Sequence, residues 1–177
     1  MYYKTHYQSP LGDMLIASDE DNIIGLWIAD QKYIDTTMPK DMVENSQISI
    51  LKEAIVWLDD YFAGKQPNLS RLPLAPIGGE FRQLVWSILM EIPYGELTTY
   101  GNIAKEVARR MGKDRMSAQA IGGAVGHNPI SIIIPCHRVV GSNKNLTGYA
   151  GGIDIKVKLL EHEGVDMKGL FMPKQDD

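Results

Sequence analysis

Between residues 67 and 79 the chain carries three prolines and two adjacent glycines: Pro67, Pro73, Pro76, Gly78 and Gly79. Proline lacks the amide hydrogen that helix and sheet interiors need, and glycine costs the most backbone entropy to order. No helix or central strand is expected to cross such a stretch, so it reads as a linker. It divides a chain of 177 residues into two small parts that are expected to share contacts. The expected organisation is a first domain over 1–75, a second over 76–170 and a tail over 171–177, with the chain loose from Lys168.

Before the linker, Met14-Leu15-Ile16-Ala17 and Ile23-Ile24-Gly25-Leu26-Trp27-Ile28 flank a polar stretch, which predicts a hairpin. Leu51, Ile55, Leu58 and Phe62 then recur at helical spacing, with Ser46 to cap the helix and Gly64 to close it. After the linker, Phe81, Leu84, Val85, Ile88, Leu89 and Ile92 repeat with helical period until Pro93-Tyr94-Gly95. A second helix starts from a cap at Thr98 or Thr99, carries Tyr100, Ile103, Ala104, Val107 and Met111, and ends at Gly112. A small-residue helix follows over 117–125, broken by Gly126-His127-Asn128-Pro129. Residues 130–134, β-branched and apolar, predict a short buried strand leading into Pro135-Cys136-His137-Arg138. A Gly/Asn-rich loop over 141–152 and a last helix closed by Gly164 complete the pattern. The fold class is α/β, of the α+β kind. A small mixed sheet-plus-helix domain precedes a mostly helical one.

With 44% apolar and 23% charged residues, the composition is that of a soluble globular protein. No apolar run approaches the ~20 residues needed to span a bilayer. The opening Met1-Tyr2-Tyr3-Lys4-Thr5-His6-Tyr7 lacks the apolar stretch of a secretory signal. A cytoplasmic location without a membrane partner is expected. The net charge of −4 counts mildly against a nucleic-acid partner, but the charge is uneven. Residues 1–79 hold six basic against eleven acidic side chains, and residues 80–140 hold seven against five. Residues 105–115 alone hold five basic and two acidic side chains. Any DNA is expected to meet the middle of the chain, unless that cluster is simply a solvated helix face.

A single cysteine excludes an internal disulfide and a multi-cysteine zinc site. A lone cysteine is most often a buried, inert thiol. A nucleophilic one needs a base or a cation nearby, because a thiol with pKa near 8.5 is only a few per cent ionised at neutral pH. His137 is adjacent, but neighbours on a strand point to opposite faces, so a bend or a bridging water is required. Glu163 is a candidate to orient the imidazole.

The wider strings are more specific. Asn128-Pro129, Ile132-Ile133-Ile134-Pro135-Cys136-His137-Arg138-Val139-Val140, Gly148-Tyr149-Ala150-Gly151-Gly152 and Leu159-Leu160-Glu161-His162-Glu163-Gly164 closely resemble the methylated-DNA–protein-cysteine methyltransferases. Phe81-Arg82-Gln83-Leu84-Val85-Trp86, Pro93-Tyr94-Gly95-Glu96 and Thr99-Tyr100 fit the same pattern. The resemblance is dense from Phe81 to Gly164 and loose before residue 75. It implies direct-reversal repair without a cofactor. A helix–turn–helix enters the minor groove of double-stranded DNA, the alkylated guanine turns out of the stack, and its alkyl group passes irreversibly to the cysteine. Cys136 is then the acceptor. His137 deprotonates it through a water, Glu163 orients His137, and Asn128 braces the turn. Tyr100 assists base rotation, the carbonyls of Cys136 and Val139 read the guanine amine, an N–H near Ala150 meets the alkylated oxygen, and Tyr149 shapes the wall.

The helix pair supplies the expected DNA contacts: Ser117, Ala118, Gln119, Gly122 and Gly123 on a thin second helix, with Lys105, Arg109, Arg110, Lys113 and Arg115 towards phosphates. Without the resemblance, the small residues would be read as tight helix packing. One departure stands out: Gln119 occupies the place where the family usually carries an arginine that fills the gap left by the base. No structural zinc is expected, since no second cysteine exists and His6 stands alone. A monomer without an obligate protein partner is the expectation. A turnover cysteine hydrolase and a non-catalytic lesion-binding module are the alternatives; the latter group carries tryptophan where this chain has Cys136.

Overall fold

The computed structural model describes residues 1–171. Strands β1 (Tyr2–Ser9), β2 (Gly12–Ser18) and β3 (Ile23–Ile28) form an antiparallel meander, with β2–β3 the expected hairpin. After the short helix α1 (Ile34–Thr37), β4 (Met42–Glu44) joins β1 in parallel, giving the order β3-β2-β1-β4. β1 alternates, burying Thr5 and Tyr7 and exposing His6 and Gln8, as a strand with one covered face does. β3 is buried at every residue, in keeping with its unbroken apolar run. Within it the Trp27 ring lies across Gly25, where a Cβ atom would fall only 2.0 Å from the ring. Helix α2 (Ser49–Phe62) covers one face through Leu51, Ala54, Leu58 and Tyr61. Its N-cap is Ile48, without a side-chain bond, so Ser46 does not serve as the cap. Gly64 does close it: the Lys65 N–H reaches Asp60 O and the Gly64 N–H reaches Tyr61 O, with Gly64 at φ +83.

The 67–79 segment is an ordered strap along the outer edge of β3. The Ile23 N–H donates to Pro73 O at 2.9 Å and the Ala75 N–H donates to Ile23 O at 2.8 Å. Further along the same edge, the Leu26 N–H donates to Pro129 O and the Ser131 N–H to Leu26 O, at 2.9 and 3.0 Å. The first sheet therefore holds the backbone just ahead of Cys136. One continuous apolar core runs from Ile16 and Leu26 through Tyr61 and Trp86 to Ile121, Ile134 and Leu159.

The second half is built on α3 (Glu80–Leu89), α4 (Tyr100–Met111), α5 (Ala118–Gly126) and α6 (Ile153–His162). Thr99 caps α4 by accepting from the Asn102 N–H, and Ser117 caps α5 by accepting from the Ala120 N–H. Gly112 ends α4 at φ +66. The Trp86 indole donates to Ala124 O at 2.9 Å and ties α3 to α5. β5 (Thr98–Thr99) and β6 (Val139–Val140) form a two-residue parallel pair.

The strand expected over 130–134 is not formed. Only Ile130 bridges to Leu26, and the chain then coils into a tight buried turn with Ile132 at φ +70. A β-branched residue is strained in that left-handed region. The turn is held by side-chain and local backbone bonds that propensity does not register. Residues 168–171, expected to be loose, are tied down at their end by a bridge from Asn145 to Phe171; the rest of the expected tail lies outside the described residues. Among the described residues no helix is long and apolar enough to cross a membrane, and no three His, Cys, Asp or Glu side chains gather as metal ligands.

Candidate active site

Cys136 opens a single turn of tight helix, Cys136–Arg138, and is 3% exposed. The turn removes the strand geometry that would set Cys136 and His137 on opposite faces. Asn128 holds it from the side: its Nδ2 donates to Ile134 O at 2.8 Å and to Cys136 Sγ at 3.2 Å, while its Oδ1 accepts from the Ile130 N–H at 3.0 Å. Among the described residues, no hydrogen bond joins Sγ to His137.

Glu163, at the C-terminal end of α6, gathers four donors. Tyr61 Oη donates at 2.6 Å, the Arg138 Nε at 2.7 Å and the Gly95 N–H at 3.2 Å, and His137 Nε2 lies at 2.5 Å. Burial acts to raise the carboxyl pKa, but the bonds and charges of His137 and Arg138 outweigh it and hold the group well below the usual carboxylate range. Burial lowers the His137 pKa against the pull of Glu163, so the ring is neutral near pH 7. An ionised carboxylate only accepts, so Nε2 carries the proton and Nδ1 keeps its lone pair. Nδ1 is buried and has no hydrogen-bond partner among the described residues. That tautomer is the one a general base requires.

Burial pushes the Cys136 thiol up; the Asn128 bond and the charge of Lys156 oppose it. Lys156 is fully buried, with Nζ donating to Val139 O and to Thr147 O at 2.5 and 3.0 Å. Burial brings its pKa down to about 8, so it remains mostly cationic at neutral pH. Tyr100 Oη lies 3.2 and 3.1 Å from the Thr147 and Gly148 carbonyls. Burial, and then the Cys136 charge, push its phenol up to about 12. Gly148 sits at φ +68, and a Cβ there would stand 3.0 Å from Tyr100 Oη, so a side chain there is both strained and crowded. Tyr149 is buried with its hydroxyl unpartnered among the described residues, and its ring centroid lies 6.5 Å from that of His137. The Cys136 carbonyl already accepts from the Val139 N–H and the Val139 carbonyl from Lys156, leaving one lone pair on each. Ala150 O accepts from the Lys32 N–H at 2.7 Å.

Beside this centre lies a cavity of about 470 Å³ whose lining includes Tyr100, Gln119, Gly122, Tyr149 and Ala150. Ser117 caps the start of α5, Ala118 lines the cavity with Gln119, and Gly123 has open space where a Cβ would stand. The basic cluster is only partly available. Glu106 pairs with Arg109 and Arg110, and Arg110 also reaches Glu91. Lys105, Lys113 and Arg115 make no ion pair among the described residues and border a second groove between α4 and the start of α5. The structure thus gathers Cys136, His137, Asn128, Glu163, Tyr100 and Tyr149 in one place. It also brings in Tyr61 and Lys156, which the sequence reading did not name, and Arg138, which it placed in the string without a role. Lys156 had a visible signal: a lysine three residues after Ile153 and before Leu159, on an apolar stripe. Tyr61 had none, because only tertiary packing carries it 102 positions along the chain to Glu163.

A buried lone thiol and a histidine fixed by a carboxylate, near a cavity bordered by a capped helix pair, fit a class of protein built around a single candidate nucleophile. The comparisons make that class specific. Residues 1–76 match the family model described as "6-O-methylguanine DNA methyltransferase, ribonuclease-like domain", and residues 80–165 match its "DNA binding domain". A methylated-DNA–protein-cysteine methyltransferase of Methanosarcina acetivorans is 44% identical over 93% of this chain and 99% of its own length. The constitutive one of Bacillus subtilis is 38% identical over 95% and 99%. Among solved structures, Mycobacterium tuberculosis OGT in complex with DNA aligns with a TM-score of 0.76 at 35% identity, covering 92% of this chain and 91% of that one. The chain belongs to the 6-O-methylguanine DNA methyltransferase family.

Proposed function

We propose that this protein repairs DNA by direct reversal, taking the alkyl group of 6-O-alkylguanine onto Cys136 in a single irreversible turnover. The observation that carries the reading is the 2.5 Å contact between His137 Nε2 and Glu163, which leaves Nδ1 as the base beside the chain's single cysteine. The Sγ proton passes through a water to Nδ1. The thiolate attacks the alkyl carbon, a C–S bond forms, and the C–O electron pair leaves with the guanine oxygen. Lys156 offsets the negative charge on sulfur, and the Asn128 amide orients the lone pairs of Sγ. Tyr100, whose raised pKa keeps its proton in place, and the Ala150 N–H supply hydrogen bonds to the departing oxygen, as an oxyanion hole does. A thioether does not return the group, so one molecule serves one lesion.

The base reaches this site only after leaving the duplex, at a cost of a few kcal/mol. Helices α4 and α5 are read as a helix–turn–helix, with α5 facing the groove and Gln119 standing in the gap. Lys105, Lys113 and Arg115 meet phosphates, while Arg109 and Arg110 must exchange Glu106 for phosphate to do the same. The unit boundaries 1–75 and 76–170, a monomeric state and a cytoplasmic location belong to the same reading.

Incubation with a duplex containing 6-O-methylguanine tests it, with the intact protein then weighed. A gain of one methylene that saturates at one per molecule and maps to Cys136 is expected. Cys136→Ser should bind the duplex and gain nothing. Multiple turnovers, or restoration of guanine by the serine variant, would overturn the proposal.

A further inference from the structure

The cavity beside Cys136 has a wall that comes from the other half of the chain. Lys32 and Tyr33 line it together with Tyr100 and Tyr149. Tyr33 sits in the turn between β3 and α1, and nothing in the site as read above uses it.

Three ties hold that turn against the second half. Gln31 is buried, and its Oε1 accepts from the Ile28 N–H at 2.9 Å and from Ser131 Oγ at 3.2 Å. The Lys32 N–H donates to Ala150 O at 2.7 Å. The Tyr33 ring stacks on His127, with centroids 3.9 Å apart and planes 23° from parallel. His127 is itself fixed, its Nδ1 2.7 Å from Gly123 O on α5. A Cβ at Gly126 would lie 3.5 Å from the Tyr33 ring, so the helix end is bare where the ring approaches.

The backbone under the ring is strained. Tyr33 has φ +62 and ψ 15, and Asp30 in the same turn also has φ +62. A bulky residue enters the left-handed region only when its surroundings impose it, and such strain concentrates at ligand clamps. The ring is nevertheless 45% exposed, so burial alone does not account for its placement. One face rests on His127 and the ring borders the cavity, which suits an aromatic surface for a planar guest.

We propose that Tyr33 is a substrate-contacting residue through which the first domain selects the lesion by size, packing against the everted base and limiting the bulk that enters beside Tyr149. The inference rests on the reading of this cavity as the receptor of an alkylated base, and deepens it. Shortening Tyr33 removes one ring from the cavity lining and so widens it. Bulky lesions should then gain relative to small ones.

The test uses full-length protein carrying Tyr33→Ala or Tyr33→Phe, each also combined with Cys136→Ser. The Cys136→Ser forms report equilibrium affinity for a duplex bearing 6-O-benzylguanine over the same duplex bearing 6-O-methylguanine. The forms with Cys136 report the single-turnover transfer ratio for the same pair. The alanine variant should raise the benzyl-to-methyl ratio in both measurements by about fivefold or more, a usual effect of pocket fit on discrimination. The phenylalanine variant keeps the ring and should keep the wild-type ratio. An affinity ratio within twofold of wild type in Tyr33→Ala would overturn the inference, as would a phenylalanine variant that behaves like alanine. Should the alanine variant fail to fold, Tyr33→Leu is read on the same two duplexes against the same limits. Because the affinity ratio needs no chemistry, it stands apart from the transfer reaction: a shifted ratio without alkyl transfer by wild type would sink the repair reading and leave the Tyr33 wall in place.

Discussion

Glu163 shows how one buried side chain gathers polar groups from distant parts of the chain. Its two oxygens accept from Tyr61, His137, Arg138 and the Gly95 amide. Glu163→Gln keeps the shape but removes the charge, so the amide no longer fixes the imidazole tautomer and Arg138 loses its buried counter-charge. Transfer to Cys136 should slow by roughly 10²-fold, the low end of general-base effects. Stability should fall by ~3 kcal/mol, as when one partner of a buried pair is lost. Rapid-quench transfer and urea denaturation read the two effects; a rate within threefold of wild type would remove Glu163 from the mechanism. Cys136, His137 and Glu163 were legible because their spacing sits in a long, specific string. Tyr61 and Tyr33 were not, because each acts on residues about a hundred positions away and neither has a local signature. Arg138 was in view within the string, but its role as a second donor to Glu163 depends on the turn that replaces the expected strand.

At the scale of elements, α5 is the helix proposed to face DNA, and its design is mostly readable. Ser117 caps it, Ala118, Gly122 and Gly123 keep it thin, and Gln119 lies in its first turn beside the cavity. With Arg109 and Arg110 engaged by Glu106, this surface offers fewer unengaged cations than its composition suggests. Gln119→Arg adds one beside the open end of a helix pair that already carries Lys105, Lys113 and Arg115. Duplex affinity at fixed low salt should rise roughly threefold to tenfold, with a steeper salt dependence by about one phosphate contact. An unchanged or weaker affinity would show that residue 119 does not meet the duplex. The failed expectation at this scale is the strand over 130–134. Three isoleucines in a row, preceded by Ile130, signal extended backbone, yet Asn128 and the edge of β3 impose a turn. A side-chain bond from outside the window outweighs β-propensity, which reports chiefly how a side chain fits its neighbours.

For the whole molecule, the shared core makes the site and the fold one thermodynamic unit. Both His137 and Glu163 have pKa values below their unfolded-state values. Groups depressed in this way contribute stability that is present above the unfolded value and lost as pH falls. On the acid side the urea midpoint should therefore decline below about pH 6.5 as His137 is driven towards protonation, and fall more steeply below about pH 4.3 as Glu163 follows. A midpoint that rises between pH 6.5 and 4 would contradict the neutral histidine and ionised carboxylate. Alkylation should act through the same packing. Cys136 is 3% exposed and bonded to Asn128, so a methyl on sulfur crowds the turn and weakens that bond. A loss of ~1–3 kcal/mol is expected, visible as a lower Tm for the methylated protein than for the unmodified one.

By itself the sequence determined the helices and their glycine or threonine ends, the hairpin, the linker, the single cysteine within its string and the family to which that string belongs. These are local matters, set by periodicity, capping chemistry and residue spacing within a few turns of chain. Only the tertiary structure decided that the linker straps the edge of β3, that 130–134 is a turn, that Tyr61 completes the Glu163 network and that Tyr33 walls the cavity. Each of those depends on contacts between residues far apart in the chain, whose energy comes from shared burial and paired polar groups. No window of sequence contains both partners.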